Sequence, residues 1–248
     1  AVQAFGDLTL NNVNVQNNRG ASNATAQGGG ISMQDAANLT IHGGTFSNNQ
    51  RKAISGANGS ITIDSATFTN NPNGAVSGGQ TVQISDSVFD ANGEGAVTGS
   101  HLNISDSTFT NNTGTGTRGA VNVERGSLTL SNSTIKDTLL QTLGGAVYIF
   151  ASEATLTNNI ITGTRSNVST LGSGIYIADT VDYPRTASNV TVSNNCIAGN
   201  LADGIQHQSV GTLNAQNNWW GASDGPSGMG SGGGNSLVST TATFIPFL

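Results

Sequence analysis

One eight-residue pattern recurs along nearly the whole chain, and a chain that repeats at such intervals stacks on itself coil over coil. LTIHGGTF at 39–46 returns as ITIDSATF at 61–68, VQISDSVF at 82–89 and LNISDSTF at 102–109. It continues as LTLSNSTI, ending at Ile135, ATLTNNII, ending at Ile161, and VTVSNNCI, ending at Ile197. Two looser copies frame the set, LTLNNVNV ending at Val15 and LNAQNNWW ending at Trp220. The nine copies are spaced by 31, 22, 21, 20, 26, 26, 36 and 23 residues. Positions 1 and 3 are apolar and position 2 is usually Thr or Asn, so 1 and 3 face a core and 2 faces out. Gly, Asn, Asp or Ser at positions 5 and 6 marks a bend, and position 8 returns a large apolar group to the core. Three residues further on stands Asn18, Asn49, Asn71, Asn92, Asn112 or Asn200. Asn tolerates the left-handed conformation, and stacked amides hydrogen-bond from coil to coil, so an Asn ladder at a turn is expected.

A second strand lies between the octets, marked by a small pair and then an aliphatic residue. It reads GGI, KAI, GAV, GAV, GAV, GAV, SGI and DGI, with aliphatics Ile31, Ile54, Val76, Val97, Val121, Val147, Ile175 and Ile205. From Phe46, Phe68, Phe89 and Ile197 it follows after eight residues; elsewhere the gap grows to 12, 14 or 16. Constant strand register with insertions at one corner is the behaviour of a solenoid. The shortest coils, 20 to 22 residues, hold three short strands and three turns.

Composition agrees with a folded, turn-rich β protein. Charged residues are 9% of the chain, against about 25% in ordinary domains, and only four residues are Pro. A net charge of −6 with eight Lys and Arg argues against a nucleic-acid partner. No apolar run reaches the ~20 residues needed to span a bilayer. The single Cys196 excludes an internal disulfide framework. With no initiator Met, Ala1 is expected to follow a removed signal or a segment boundary.

The alternation of segments such as GGAV (144–147) with FSNN, FTNN, FDAN and FTNN resembles the repeats of polymorphic outer-membrane proteins. More broadly, the chain is similar to right-handed parallel β-helix proteins secreted by bacteria and archaea. NNWWGASDGPSG at 217–228 resembles the NNYWG…GP terminus of such surface proteins, and ATFIPFL at 242–248 their closing strand. The resemblance implies an all-β, right-handed parallel β-helix of nine coils over 1–221, then a glycine-rich linker and capping strand over 222–248. It also implies an extracellular or cell-surface setting, in a fold shared by adhesins, surface-layer components and polysaccharide-active enzymes.

Three kinds of outward chemistry are readable. Asp86 and Asp106 share octet position 5 on neighbouring coils and Asp64 lies one position away on the coil before, so the three are weak candidates for a Ca²⁺ edge. No Lys or Arg stands within those octets, and Asp in a bend is ordinary turn chemistry. The row one residue after each aliphatic places Asn122, Tyr148, Tyr176 and Gln206 side by side on the outer face, a pattern suited to sugar rings. The insertion at 178–189 is the segment that would bury them. Glu124, Arg125 and Asp179, if gathered in one groove, would instead support a lyase or hydrolase. At position 7 the row Asn14, Thr45, Thr67, Val88, Thr108, Thr134, Ile160, Cys196, Trp219 turns apolar over the last three coils. Those coils are expected to carry a loop or partner, with Cys196 a buried apolar group. His42, His101 and His207 show no metal-ligand spacing, and no cofactor is implied.

The expected role is a non-catalytic structural or adhesive module, with glycans as the ligand class. The alternatives are a filament subunit associating end to end with further copies, and a polysaccharide lyase or hydrolase.

Overall fold

A computed structural model describes residues 2–19, 28–56, 58–167, 172–179 and 188–248. Strands pair in parallel, each with the strand one coil away, and there is no helix among the described residues. The octets stack in the register their sequences set: Leu39 on Ile61, Ile61 on Val82, Val82 on Leu102, Leu102 on Leu128, Leu128 on Ala154 and Ala154 on Val190. Position 8 forms a buried column. Within it the rings of Phe46, Phe68, Phe89 and Phe109 stack at 4.7, 4.8 and 4.6 Å, with interplanar angles of 13°, 2° and 4°. That spacing is the strand repeat itself, about 4.8 Å, so identical side chains in one register stack without adjustment.

The Asn ladder forms. Asn18, Asn49, Asn71 and Asn92 each donate from Nδ2 to Oδ1 of the next rung, at 2.8, 3.0, 2.8 and 3.2 Å, ending on Asn112. The left-handed residue, however, is the one before each rung: Asn17, Asn48, Asn70, Ala91, Asn111 and Asp137 have φ between 53° and 58°. The ladder Asn therefore turns inward because the chain has already reversed. Octet position 5 is left-handed in every copy, from Asn12 (49°) through Asp86 (47°) and Asp106 (51°) to Asn217 (58°). Position 6, expected only as part of a bend, is a second ladder. Ser87 and Ser107 donate their amides to Ser107 and Ser133 Oγ, Ser133 donates to Asn159 Oδ1, and Asn159 and Asn195 continue through their Nδ2 groups to Asn218.

The Asn ladder is interrupted where Thr138 and Thr164 take the rung, and both buried hydroxyls lack a hydrogen-bond partner. A buried hydroxyl without a partner costs about 1–3 kcal/mol. Thr138→Val, isosteric and apolar, is expected to raise stability by about 1 kcal/mol in denaturant unfolding. A loss of similar size would show that the hydroxyl is bonded.

At the C-terminus the 222–248 segment packs onto the last coils. Gly234–Val238 pairs with Asp203–His207, and residues 242–248 run along the ninth octet, with Thr243 N donating to Leu213 O and Leu248 N to Asn218 O. Pro226–Gly228 then pairs on the outer edge of Gly234–Val238 and closes that sheet. Trp220 is fully buried beneath this layer. The first coil is less covered: Leu8, Leu10, Val13 and Val15 are only partly buried, whereas Leu39, Ile41 and Phe46 above them are fully buried.

His207 sits in the inward column of Ile149 and Ile177. Its Nδ1 lies 2.8 Å from Ser239 Oγ, and its buried Nε2 has no partner. Burial holds its pKa below the ordinary imidazole value, with Asp179 opposing. The unfolded chain then binds the proton more readily, so this contribution is intact above pH ~6.5 and lost as pH falls through the folded value. Thermal unfolding at pH 7.5 and pH 5 is expected to show an acid-side loss that His207→Leu reduces. An unchanged pH slope in the variant would contradict this.

Candidate functional site: a corner cleft over a buried tyrosine pair

The insertions predicted at one corner stack into a sheet of their own, Thr113–Gly114, Leu139–Leu140 and Arg165–Ser166 in parallel. The outward row forms in the expected register, Asn122 beside Tyr148, Tyr148 beside Tyr176, Tyr176 beside Gln206. Its aromatic members do not face solvent: Tyr148 is 7% exposed and Tyr176 4%. The two rings lie 5.9 Å apart at 17°. Thr117, from the corner insertion, lines one cleft with Tyr148, and the Tyr176 hydroxyl donates to Gln208 Oε1 at 2.6 Å. Burial raises both phenol pKa values. The segment expected to bury them, 178–189, lies at 180–187 outside the described residues.

Asn122 is fully buried and serves as a clamp. Its Oδ1 accepts from Gly119 N at 2.7 Å, and its Nδ2 donates to Gly119 O at 2.9 Å and Val97 O at 3.2 Å, fixing the base of the 113–118 insertion. Gly95 makes room for it: a Cβ there would lie 2.5 Å from Asn122 Nδ2, and φ is +89°. Gln206 remains half-buried at the far end of the row.

Beside the tyrosines the insertion leaves a cleft of ≈ 250 Å³ lined by Thr115, Gly116, Thr117, Arg118, Glu124, Tyr148 and Phe150. Arg118 Nε donates to Glu124 Oε1 at 2.6 Å, a bond that raises the guanidinium pKa. Phe150 is half-buried, near-parallel to Tyr148 at 6.0 Å, with the Arg125 guanidinium 5.5 Å from its ring centre. The cleft thus offers an apolar floor and a rim of donor beside acceptor, which suits a ligand with one apolar face and hydroxylated edges. The residues that could have pointed here were Arg118 and Thr117; insertions have no register in the repeat, so periodicity passed over them.

With parallel coils, constant octet register and a closing layer in place, the family is decided by one match. Residues 78–242, more than half of the chain, match the family described as right handed beta helix region. The chain belongs to the right-handed β-helix family. No curated protein and no solved structure matches it.

In this β-helix Asp179 is buried, its Oδ1 accepting from Ser188 N at 2.9 Å and its Oδ2 from Val210 N at 2.6 Å. Glu124 is held by Arg118, and Arg125 lies over Phe150, the strand neighbour of Glu124. Asp86 and Asp106 are exposed left-handed turn residues, while Asp64 accepts from Ser85 Oγ at 3.0 Å and sits 3.9 Å from His42. Among the described residues no three His, Cys, Asp or Glu side chains are grouped to hold a metal ion.

The position-7 row stacks as expected, and among the described residues no loop covers it. Ile160 is 47% exposed and Trp219 36%, and Cys196 between them is half-buried rather than buried. Outward apolar residues on a flat wall reach solvent unless something lies over them, and the repeat carries no information about that. Partial burial raises the Cys196 thiol pKa.

Proposed function

We infer that this β-helix is a non-catalytic extracellular surface module, structural or adhesive, that meets glycans along its side. The observation carrying this reading is that its candidate acid and base groups are already engaged. Glu124 pairs with Arg118, Arg125 lies over Phe150 and both oxygens of Asp179 accept backbone amides, whereas lyase or hydrolase chemistry needs such groups available to one sugar. The polymorphic outer-membrane-like repeats and the NNWWG…GP terminus support the surface setting. The inward ladders support a rod whose stability does not depend on its outer chemistry.

The test is a panel of soluble and insoluble polysaccharides incubated with the chain. Retention on at least one member, with no new reducing ends and no unsaturated uronate absorbance, is expected. Release of either product would overturn the reading in favour of the enzyme. The end-to-end filament is the weaker alternative: Val2–Ala4 of a second copy would need the layer that Pro226–Gly228 occupies.

A further inference from the structure

We propose that the corner cleft is a subsite for one neutral pyranose ring, with Tyr148 and Phe150 as its aromatic lining and the Arg118–Glu124 pair as its hydroxyl reader. This rests on the adhesive reading and gives it a place and a ligand class.

Size comes first. At ≈ 250 Å³ the cleft falls below the about 300–1,000 Å³ of pockets that enclose drug-sized ligands, so it holds a ring rather than a chain. The rim supplies the second argument. A sugar hydroxyl donates and accepts at once, and neighbouring hydroxyls are met best by a donor and an acceptor fixed side by side. Arg118 binds Glu124 through Nε and Oε1, which leaves the guanidinium Nη groups and Oε2 to face a ligand. The 2.6 Å bond fixes their spacing before any ligand arrives, so little ordering is needed on binding. Thr115 and Thr117 add hydroxyls on the loop side.

Charge sets the class. Arg118 and Glu124 are the charged residues among the described lining of the cleft and offset one another, so the lining carries no net charge to draw in an anionic sugar or a phosphate. Lys52, the next cation along this corner, donates to Ser77 Oγ at 2.9 Å. A neutral ring with equatorial hydroxyls over an aromatic floor fits this balance.

The experiment is saturation-transfer NMR on the full chain with methyl glucoside, galactoside, mannoside and N-acetylglucosaminide, with glucuronate and inorganic phosphate as comparators. At least one neutral glycoside is expected to bind in the millimolar range, more tightly than glucuronate or phosphate. Glu124→Gln and Arg118→Lys are each expected to weaken it roughly tenfold or more, since a hydrogen bond to a charged group is lost or misplaced. Trp219→Ala, on a different wall, is expected to leave binding unchanged, and thermal unfolding verifies that each variant is folded. Stronger binding of glucuronate or phosphate, or folded cleft variants that bind as wild type, would overturn the proposal. Polysaccharide retention that survives Glu124→Gln would sink the cleft but leave the adhesive reading standing. Absence of any retention would remove both.

Discussion

Asn71→Ala is expected to lower the unfolding free energy by about 4 kcal/mol, although it removes only one small polar side chain. Asn71 is fully buried and makes four hydrogen bonds through its amide. Its Oδ1 accepts from Asn49 N at 3.1 Å and Asn49 Nδ2 at 3.0 Å, while its Nδ2 donates to Phe46 O at 2.9 Å and Asn92 Oδ1 at 2.8 Å. Alanine leaves all four partners inside the protein without a replacement. Each such group costs about 1–3 kcal/mol, partly relieved where water enters. In a chain of this size that corresponds to a fall of roughly 10 °C in unfolding midpoint, at 2–4 °C per kcal/mol. Asn70→Ala is the matched comparison. Asn70 is exposed with φ of 55°, so only the left-handed preference is lost, about 1 kcal/mol. Equal losses at the two positions would mean that the ladder contributes nothing beyond its turn.

Phe68→Ala is the second large effect, at about 3–5 kcal/mol. The ring is fully buried between Phe46 at 4.7 Å and Phe89 at 4.8 Å, so its removal opens a cavity and ends two stacking contacts. Phe109→Ile should be far milder, below about 1.5 kcal/mol, because Ile135 already continues the column on the next coil. Denaturant titrations separate these expectations. A Phe68→Ala loss no larger than that of Phe109→Ile would show that the column is loosely packed.

Much of this architecture is legible in the sequence because the octet carries its own register. Inward positions 1, 3 and 8 pair in the structure as they align in the sequence, and so does the outward row from Asn122 to Gln206. What the repeat leaves ambiguous is which of two adjacent polar residues turns inward. Asn17 and Asn18, Asn48 and Asn49, Asn70 and Asn71, and Asn111 and Asn112 are all Asn pairs. Ala91 beside Asn92 and Gly199 beside Asn200 break the tie, since a residue without a polar side chain at the first place leaves the second as the ladder rung. At position 6 the change from Ser133 to Asn159 keeps a hydrogen-bonding oxygen on the same rung, a signal that turn propensity alone obscures.

The candidate site was legible only in part. Alternation tells which way Tyr148 leaves the coil, but not that the 113–118 insertion brings Thr117 into the same cleft. The cleft that results depends on Arg118 meeting Glu124, six residues apart and on either side of a strand start. The apolar wall at Ile160, Cys196 and Trp219 shows the converse: its pattern reads as covered, yet among the described residues no loop covers Ile160 or Trp219.

Native-state hydrogen exchange, resolved to single amides, tests most directly whether the inward ladders carry the fold. The amides of Asn49, Asn71, Ser133, Asn159 and Asn195, each bound to a side-chain oxygen one coil on, are expected to exchange only with global unfolding. The amides of the corner insertion at 115–118 are expected to exchange earlier. Ladder amides that exchange at the rate of the corner insertion would contradict a solenoid held together by its turns.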